Sequence, residues 1–388
     1  MTTDHLETPR TDASTVLTLV RRGVPGERPA GYTRMISTDP DGPNDGDLFL
    51  TWDAGWPEGF PVHRALGIGE EAGRDWQFAG LAKGGVGAGG FRMQPSLYEL
   101  PEEFSGLLKG TLLLTGQATS PDELTSNIVI FASNDRGTTW RPVSHIDTGG
   151  PIVYDPSPES TTTTIWEPEL ELIDGELLCF YSDERYKGEG ILQAIVHRAS
   201  RDLVVWSERV LDFGVSDRAI RPGMFVAAKN SDQDFALGVM EIVGRPLDPV
   251  NLLFSMNPTD WSPPEHIGET LVAADGTWLS GTPNLTWTRP PGAAESLVFV
   301  TGRFSYDAED RLVDRAIVNI HSGRGSWTSI DLPLPTGGDP ESTVLAGYSQ
   351  TLLLTRDGKW LVQATTVFND VGTTDVIVAT KPFEGIEG

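Results

Sequence analysis

Glu171-Leu172-Ile173-Asp174-Gly175-Glu176-Leu177-Leu178-Cys179-Phe180-Tyr181-Ser182-Asp183 reads as two apolar strands joined by an Asp-Gly turn. Glycine accepts a positive φ without steric cost, so Asp-Gly between apolar runs is a strong hairpin signal. The second strand of this hairpin has counterparts along the chain: DLFLTWD from Asp47, TLLLTG from Thr111, DFALGVME from Asp234, SLVFVTG from Ser296 and KWLVQATT from Lys359. Their starts lie 58 to 65 residues apart, and a second Asp-Gly, Asp357-Gly358, precedes the last. A tryptophan keeps the same step: Trp76, Trp140, Trp206, Trp261 and Trp327 each follow a polar turn, 27 to 31 residues after the strand of their own unit. Elsewhere the apolar stretches are short, rich in Val, Ile, Leu, Phe and Thr, and broken by Gly, Pro, Asp and Asn, with almost no helical periodicity. Four-stranded units repeated six times describe an all-β, six-bladed propeller, with each tryptophan packed between adjacent sheets. The sixth unit lacks its tryptophan and its outer strand. The run STVLTLV, Ser14 to Val20, is expected to supply that strand and close the ring, which leaves no open array edge. Residues 1–12 are then a polar tail, and residues 13–388 a single domain.

Composition narrows the function. The 388 residues carry 29 basic and 55 acidic side chains, a net charge of −26. Phosphate backbones and anionic membranes are bound by clustered Lys and Arg, so neither nucleic acid nor membrane is expected as a partner. A neutral ligand suits such a surface. The single cysteine, Cys179, excludes an internal disulfide and any cysteine-based metal cage, and its place in LLCFY predicts a buried, inert thiol. No apolar run approaches the ~20 residues of a membrane helix. The start, MTTDHLETPRTDAS, has neither the basic nor the apolar part of a secretory signal, so a cytoplasmic location is expected, or a secreted one if a leader has been removed.

One turn is more specific. Ser133-Asn134-Asp135-Arg136-Gly137-Thr138-Thr139-Trp140 has the pattern S-x-D-x-G-x-T-W, whose polar side chains suit a tight turn bonded to its own backbone. It resembles the Asp-box of sialidase-type propellers, and the resemblance implies a structural turn away from any catalytic groups. The turns from Ser200 to Trp206 and from Ser322 to Trp327 look like decayed copies. Three further stretches resemble glycoside hydrolase family 93, the exo-acting α-L-arabinanases. They are Trp166-Glu167-Pro168 followed by LELIDGELLCFYSDER, Arg221-Pro222-Gly223-Met224, and Gly238-Val239-Met240-Glu241. Arg92-Met93-Gln94-Pro95 and Ser280-Gly281-Thr282-Pro283 match more weakly. These stretches span units two to five in the family's order. Val239-Met240 departs from the aromatic usual before that glutamate, and Phe225 follows the RPGM stretch; both bear on substrate more than on reaction class. The resemblance implies an exo-acting, retaining glycoside hydrolase for neutral, arabinan-type oligosaccharides, monomeric, with no cofactor and no metal.

Glycoside cleavage needs two carboxyl groups flanking the scissile bond, about 5–5.5 Å apart when configuration is retained. Glu167 opens the first strand of unit three, and Glu241 ends the second strand of unit four. First and second strands run antiparallel, so the start of one and the end of the other share a face. Glu167 lies between Trp166 and Pro168, and Glu241 lies in ALGVMEIV, where desolvation raises a carboxyl pKa. Glu167 is therefore expected as nucleophile and Glu241 as general acid/base. Substrate contacts are expected from Arg34, Gln94, Trp166, Asp183, Arg221, Ser280, Arg303 and Tyr348, with Asp183 holding a sugar hydroxyl or an arginine.

Two other readings stand beside this one. A sialidase would gather three arginines, here Arg34, Arg221 and Arg303, around a substrate carboxylate and use a tyrosine nucleophile, here Tyr348; its R-I-P entry motif is absent. A non-catalytic glycan-binding propeller or a scaffold would not need two converging acids. The run from Gly84 to Gly90 lacks the GK[ST] of a phosphate loop and reads as a flexible loop over the mouth. The six histidines, at 5, 63, 145, 197, 266 and 321, show no metal-binding spacing, and His63 is the one placed to line a pocket.

Overall fold

Apolar runs bounded by turn residues pair with their sequence neighbours almost throughout. The computed structural model describes residues 13–53, 58–229, 234–335 and 346–386, and it places the strands in six four-stranded antiparallel sheets and one of three strands. The first strands of the six larger sheets are Gly31–Ser37, Arg92–Glu99, Ile165–Ile173, Arg221–Lys229, Asn284–Thr288 and Thr351–Leu354. The expected second strands are all present: Leu48–Asp53, Leu112–Thr119, Glu176–Asp183, Ala236–Val243, Leu297–Thr301 and Trp360–Phe368. Each first strand packs on the first strand of the next sheet, and the sixth packs back on the first, giving a propeller-like ring.

The sixth sheet takes its outer strand from the other end of the chain. Val16–Arg21 pairs antiparallel with Thr374–Pro382, Val16 opposite Thr380 and Leu19 opposite Ile377. Residues 1–12, read from sequence as a tail, lie outside the described residues.

The seventh sheet was not foreseen. Its strands Trp278–Ser280, Phe304–Tyr306 and Leu312–Val313 pair with one another in that order. Each runs on, across a break at residues 281–283, 302–303 or 314, from a strand of sheet five. It therefore prolongs three strands of that sheet beyond a kink.

Six apolar clusters fill the spaces between neighbouring sheets. Trp76 packs between sheets six and one, Trp140 between one and two, Trp206 between two and three, Trp261 between three and four, and Trp327 between four and five. The cluster between sheets five and six contains no tryptophan. Trp76, Trp140 and Trp261 each donate Nε1–H to the carbonyl three residues earlier, on Gly73, Gly137 and Pro258, at 2.9–3.0 Å. In the Ser133–Trp140 turn, Asp135 Oδ1 accepts from Thr139 N and Ser133 Oγ, both at 2.9 Å. The turn joins the third and fourth strands of sheet two, at the end of the ring away from where the first strands begin. No helix among the described residues is long and apolar enough to cross a membrane.

Candidate active site

The first strands of sheets one to four each slip register near their start, between Gly31 and Arg34, Met93 and Ser96, Trp166 and Glu169, and Gly223 and Val226. A β-bulge re-aims side chains, and here each holds a non-glycine residue in the left-handed region: Tyr32 at φ 51°, Gln94 at 52°, Glu167 at 61° and Met224 at 53°. Thr282 at 35° and Ser349 at 56° stand just ahead of the corresponding strands of sheets five and six. Such conformations cost on the order of 1 kcal/mol or more per residue and gather at functional sites. Six strained residues thus ring one mouth, and Glu167 is one of them.

Glu167 is 7% exposed and well supplied with donors. Its Oε2 accepts from Ser182 Oγ at 2.8 Å and from Met224 N at 2.9 Å, and its own N–H donates to Gln94 Oε1 at 3.1 Å. Ser182 faces it because Trp166 and Ser182 are opposed in the strand pair. Glu241, also 7% exposed, accepts from Thr282 N at 2.6 Å. The strand Arg221–Lys229 joins the two acids: Gly223 is opposite Glu241, and the next residue donates its N–H to Glu167. A Cβ on Gly223 would lie 3.0 Å from Gln193 Nε2 and 3.2 Å from Glu241 Oε1, closer than ordinary contact, so glycine lets the acid approach this strand.

Burial raises both carboxyls, with different outcomes. At Glu167 the Arg221 guanidinium, Ser182 and the Met224 N–H oppose the rise, and the carboxyl stays above its ordinary range. At Glu241 burial dominates, the Glu167 charge adds to it, and the carboxyl is pushed up to about 7.

The structure brings Gln94 and Arg221 to Glu167, as just described. Trp166 sits beside them with its indole Nε1–H on Glu184 Oε1 at 3.0 Å. Arg221 is 5% exposed and bonds the same Glu184 oxygen at 2.7 Å, with Tyr154 over its guanidinium at 5.0 Å. Arg34 bonds Glu169 Oε1 through Nε at 3.0 Å and Ser349 through Nη1, while its Nη2 has no hydrogen-bonding partner among the described residues. Tyr348 lies 5.8 Å from the Arg303 guanidinium, and burial together with the two glutamates keeps its phenol protonated well above the ordinary range. Arg303 also donates to Ala346 O at 3.3 Å.

Two expected contacts face elsewhere. Asp183 holds arginines: it accepts from Arg185 Nε at 2.8 Å and from Arg209 Nη1 at 2.9 Å, its side chain leaving the strand on the face opposite Ser182. Ser280 donates to Leu247 O at 2.5 Å, and Thr282, two residues on, meets Glu241 instead. The glycine run also corrects its reading as a loose loop. Arg92, buried over Phe60 and Phe131, ties it down through Gly84 O at 3.0 Å and Val86 O at 3.1 Å. His63 is wedged between Trp52 and Phe78, and burial lowers its pKa to about 4. Cys179 is fully buried.

Sequence reasoning missed Ser182, Glu184, Tyr154 and Thr282. Ser182 and Glu184 lie within YSDER and Thr282 within Ser280–Pro283, stretches already quoted for the family resemblance, whereas Tyr154 left no signal.

A scan of family models finds no match to this chain, and a search of curated proteins finds none either. Solved structures do match. Over 95% of its length the chain is similar to 97% of the GH93 α-L-arabinofuranosidase of Fusarium graminearum in complex with arabinobiose, at 26% identity and a TM-score of 0.77. It is similar over 90% of its length to 92% of the Penicillium chrysogenum α-L-arabinanase complexed with arabinobiose, at 29% identity and a TM-score of 0.72. A protein of unknown function from Dyadobacter fermentans, at 13% identity and a TM-score of 0.57, shares the fold alone. The resemblance to glycoside hydrolase family 93 thus reaches over nearly the whole chain, well past units two to five.

Proposed function

We propose that the protein is an exo-acting, retaining glycoside hydrolase that releases sugar from neutral oligosaccharides ending in α-L-arabinofuranosyl units. In this reading the six four-stranded sheets are the blades of one propeller spanning residues 13–388, the three-stranded sheet is an extension of the fifth, and the protein acts as a monomer. The observation that carries the reaction class is the contrast between two neighbouring buried carboxyls, one supplied with donors and a guanidinium, the other held near 7.

That contrast matches the two roles of retaining hydrolysis. Glu167, kept ionised, attacks the anomeric carbon and forms a glycosyl ester. Glu241, protonated near neutral pH, gives its proton to the departing glycosidic oxygen. Glu241, now ionised, then takes a proton from water as that water displaces Glu167, and both carboxyls return to their starting states. The similar arabinobiose complexes favour arabinan-type substrates. Against a sialidase stand Arg34 and Arg221, each committed to a buried glutamate, and the protonated phenol of Tyr348.

The test is an arabinan oligomer followed by NMR from the first turnover. The expected product is a short sugar released from one chain end with its anomeric configuration kept. An inverted first product would overturn the retaining mechanism, and turnover of a sialyl glycoside alone would overturn the substrate class.

A further inference from the structure

Tyr32 occupies in sheet one the place that Glu167 occupies in sheet three: the left-handed residue of the first-strand bulge. Its side chain is 1% exposed, and among the described residues its hydroxyl has no hydrogen-bonding partner. A buried hydroxyl left unpaired is unfavourable, and the strained backbone adds to that. Nothing about packing an aromatic ring requires either.

The surroundings show what the hydroxyl faces. The Arg34 guanidinium covers the ring at 4.4 Å, and the Tyr348 ring lies 6.4 Å away. Glu169, two residues beyond Glu167, takes Arg34 Nε at 3.0 Å and Ser96 Oγ at 2.5 Å, so its acceptors are already served. Glu167 Oε2 is likewise served by Ser182 and Met224, and its Oε1 meets Gln94 Nε2 at 3.5 Å. Burial, joined by the charges of Glu169 and Glu167, outweighs the lowering by the Arg34 guanidinium and raises the phenol well above its ordinary range. Tyr32 thus carries a protonated, unpaired donor within the electrostatic reach of Glu169 and Glu167.

We infer that Tyr32 is a substrate-contacting residue whose hydroxyl donates a hydrogen bond to the 2-oxygen of the sugar being transferred. This rests on the glycosidase reading above. Two oxygens of that sugar flank the anomeric carbon. The ring oxygen gains positive charge as the oxocarbenium-like transition state forms, and a donor there would oppose the reaction; the 2-oxygen accepts a bond that strengthens in that state. The energy left unused by the free protein is thus realised where it lowers the barrier. Tyr32 forms no covalent bond and transfers no proton.

The experiment is a two-by-two comparison of wild type and Tyr32→Phe on an aryl α-L-arabinofuranoside and its 2-deoxy analogue, read as kcat/KM. Phe keeps the ring under Arg34, so packing is unchanged, and circular dichroism with a melting curve checks that. On the full substrate Tyr32→Phe is expected to lose about 30- to 300-fold in kcat, with KM within about 3-fold, the mark of an interaction made in the transition state. On the 2-deoxy substrate the two proteins are expected to agree within about 3-fold. Equal activity of both proteins on the full substrate, or the same loss on both substrates, would overturn the inference. A wild type that cleaves neither glycoside while folded would instead sink the glycosidase reading itself.

Discussion

The two sides of the mouth bury a glutamate to the same depth and treat it in opposite ways. On the side of sheet three, Glu167 meets a serine hydroxyl, a backbone N–H and a nearby guanidinium. On the side of sheet four, Glu241 has the Thr282 N–H and a neighbouring negative charge. Burial alone would raise both. The donors hold back the rise at Glu167, whose carboxyl still lies above its ordinary range, while less opposes it at Glu241, which reaches about 7.

The largest effect should come from removing either side. Glu167→Ala and Glu241→Ala are each expected to lower turnover by at least about 10³-fold with folding intact, measured on an aryl α-L-arabinofuranoside. Azide rescue then separates the two sides. Glu167→Ala should yield the inverted glycosyl azide and Glu241→Ala the retained one, because only the second still forms the covalent intermediate. The exchanged pattern would exchange the two roles.

Gly223 tests how closely the sides must approach. Gly223→Ala is expected to lower kcat about 10- to 100-fold with an unchanged melting temperature, since its methyl group displaces Gln193 or the Glu241 carboxyl by a few tenths of an ångström. Full activity would show that the spacing has slack.

Stability and pH sharpen the contrast further. A carboxyl raised to about 7 when folded binds more protons in the native state, so its contribution is favourable at low pH and is lost as pH rises from about 4.5 to 7. Glu241→Gln, which keeps an acceptor for Thr282 N–H, should therefore be more stable than wild type at pH 8, by no more than about 3 kcal/mol, and lose that advantage by about pH 4. Urea titrations at the two pH values check the sign. In the wild type, kcat/KM should fall as pH rises through about 7, where Glu241 loses its proton, and fall again at low pH, where Glu167 gains one.

The smallest effect should come from thinning the donors. Ser182→Ala is expected to move the acid limb upward by about one pH unit while the alkaline limb stays in place. Movement of the alkaline limb instead would mean that Ser182 serves Glu241.

Much of this was legible in the sequence. The strand repeat and the tryptophan step marked all six second strands and five of the six intersheet clusters, because turn residues and apolar runs act locally. Glu167 and Glu241 stood out only through the family resemblance in WEP and GVME, and antiparallel pairing then put them at one face. The bulges were invisible. Tyr32, Gln94, Met224 and Thr282 are not residues that advertise a positive φ. The extension of sheet five was hidden for a related reason, since a strand that continues past a kink carries the same residues as one that stops. Asp183 was expected to hold a sugar hydroxyl or an arginine, and it holds two arginines, Arg185 and Arg209, whose identity the sequence did not mark.

The pairing of Val16 with Thr380 has a consequence for how the molecule comes into being. Synthesis runs from the amino end, so Val16–Arg21 is made before the other strands of the ring and has no partner until Thr374–Pro382 follows. The intervening sheets can assemble one after another from neighbouring segments, but the circle stays open, with an exposed strand edge, until the last hairpin arrives. That final step joins positions at nearly maximal separation along the chain, the slowest kind of contact to form. Leu17 and Leu19 remain 46% and 51% exposed even in the finished protein. The waiting segment is thus a short apolar ribbon that other chains can capture, and the interval before closure is when this protein is most exposed to aggregation.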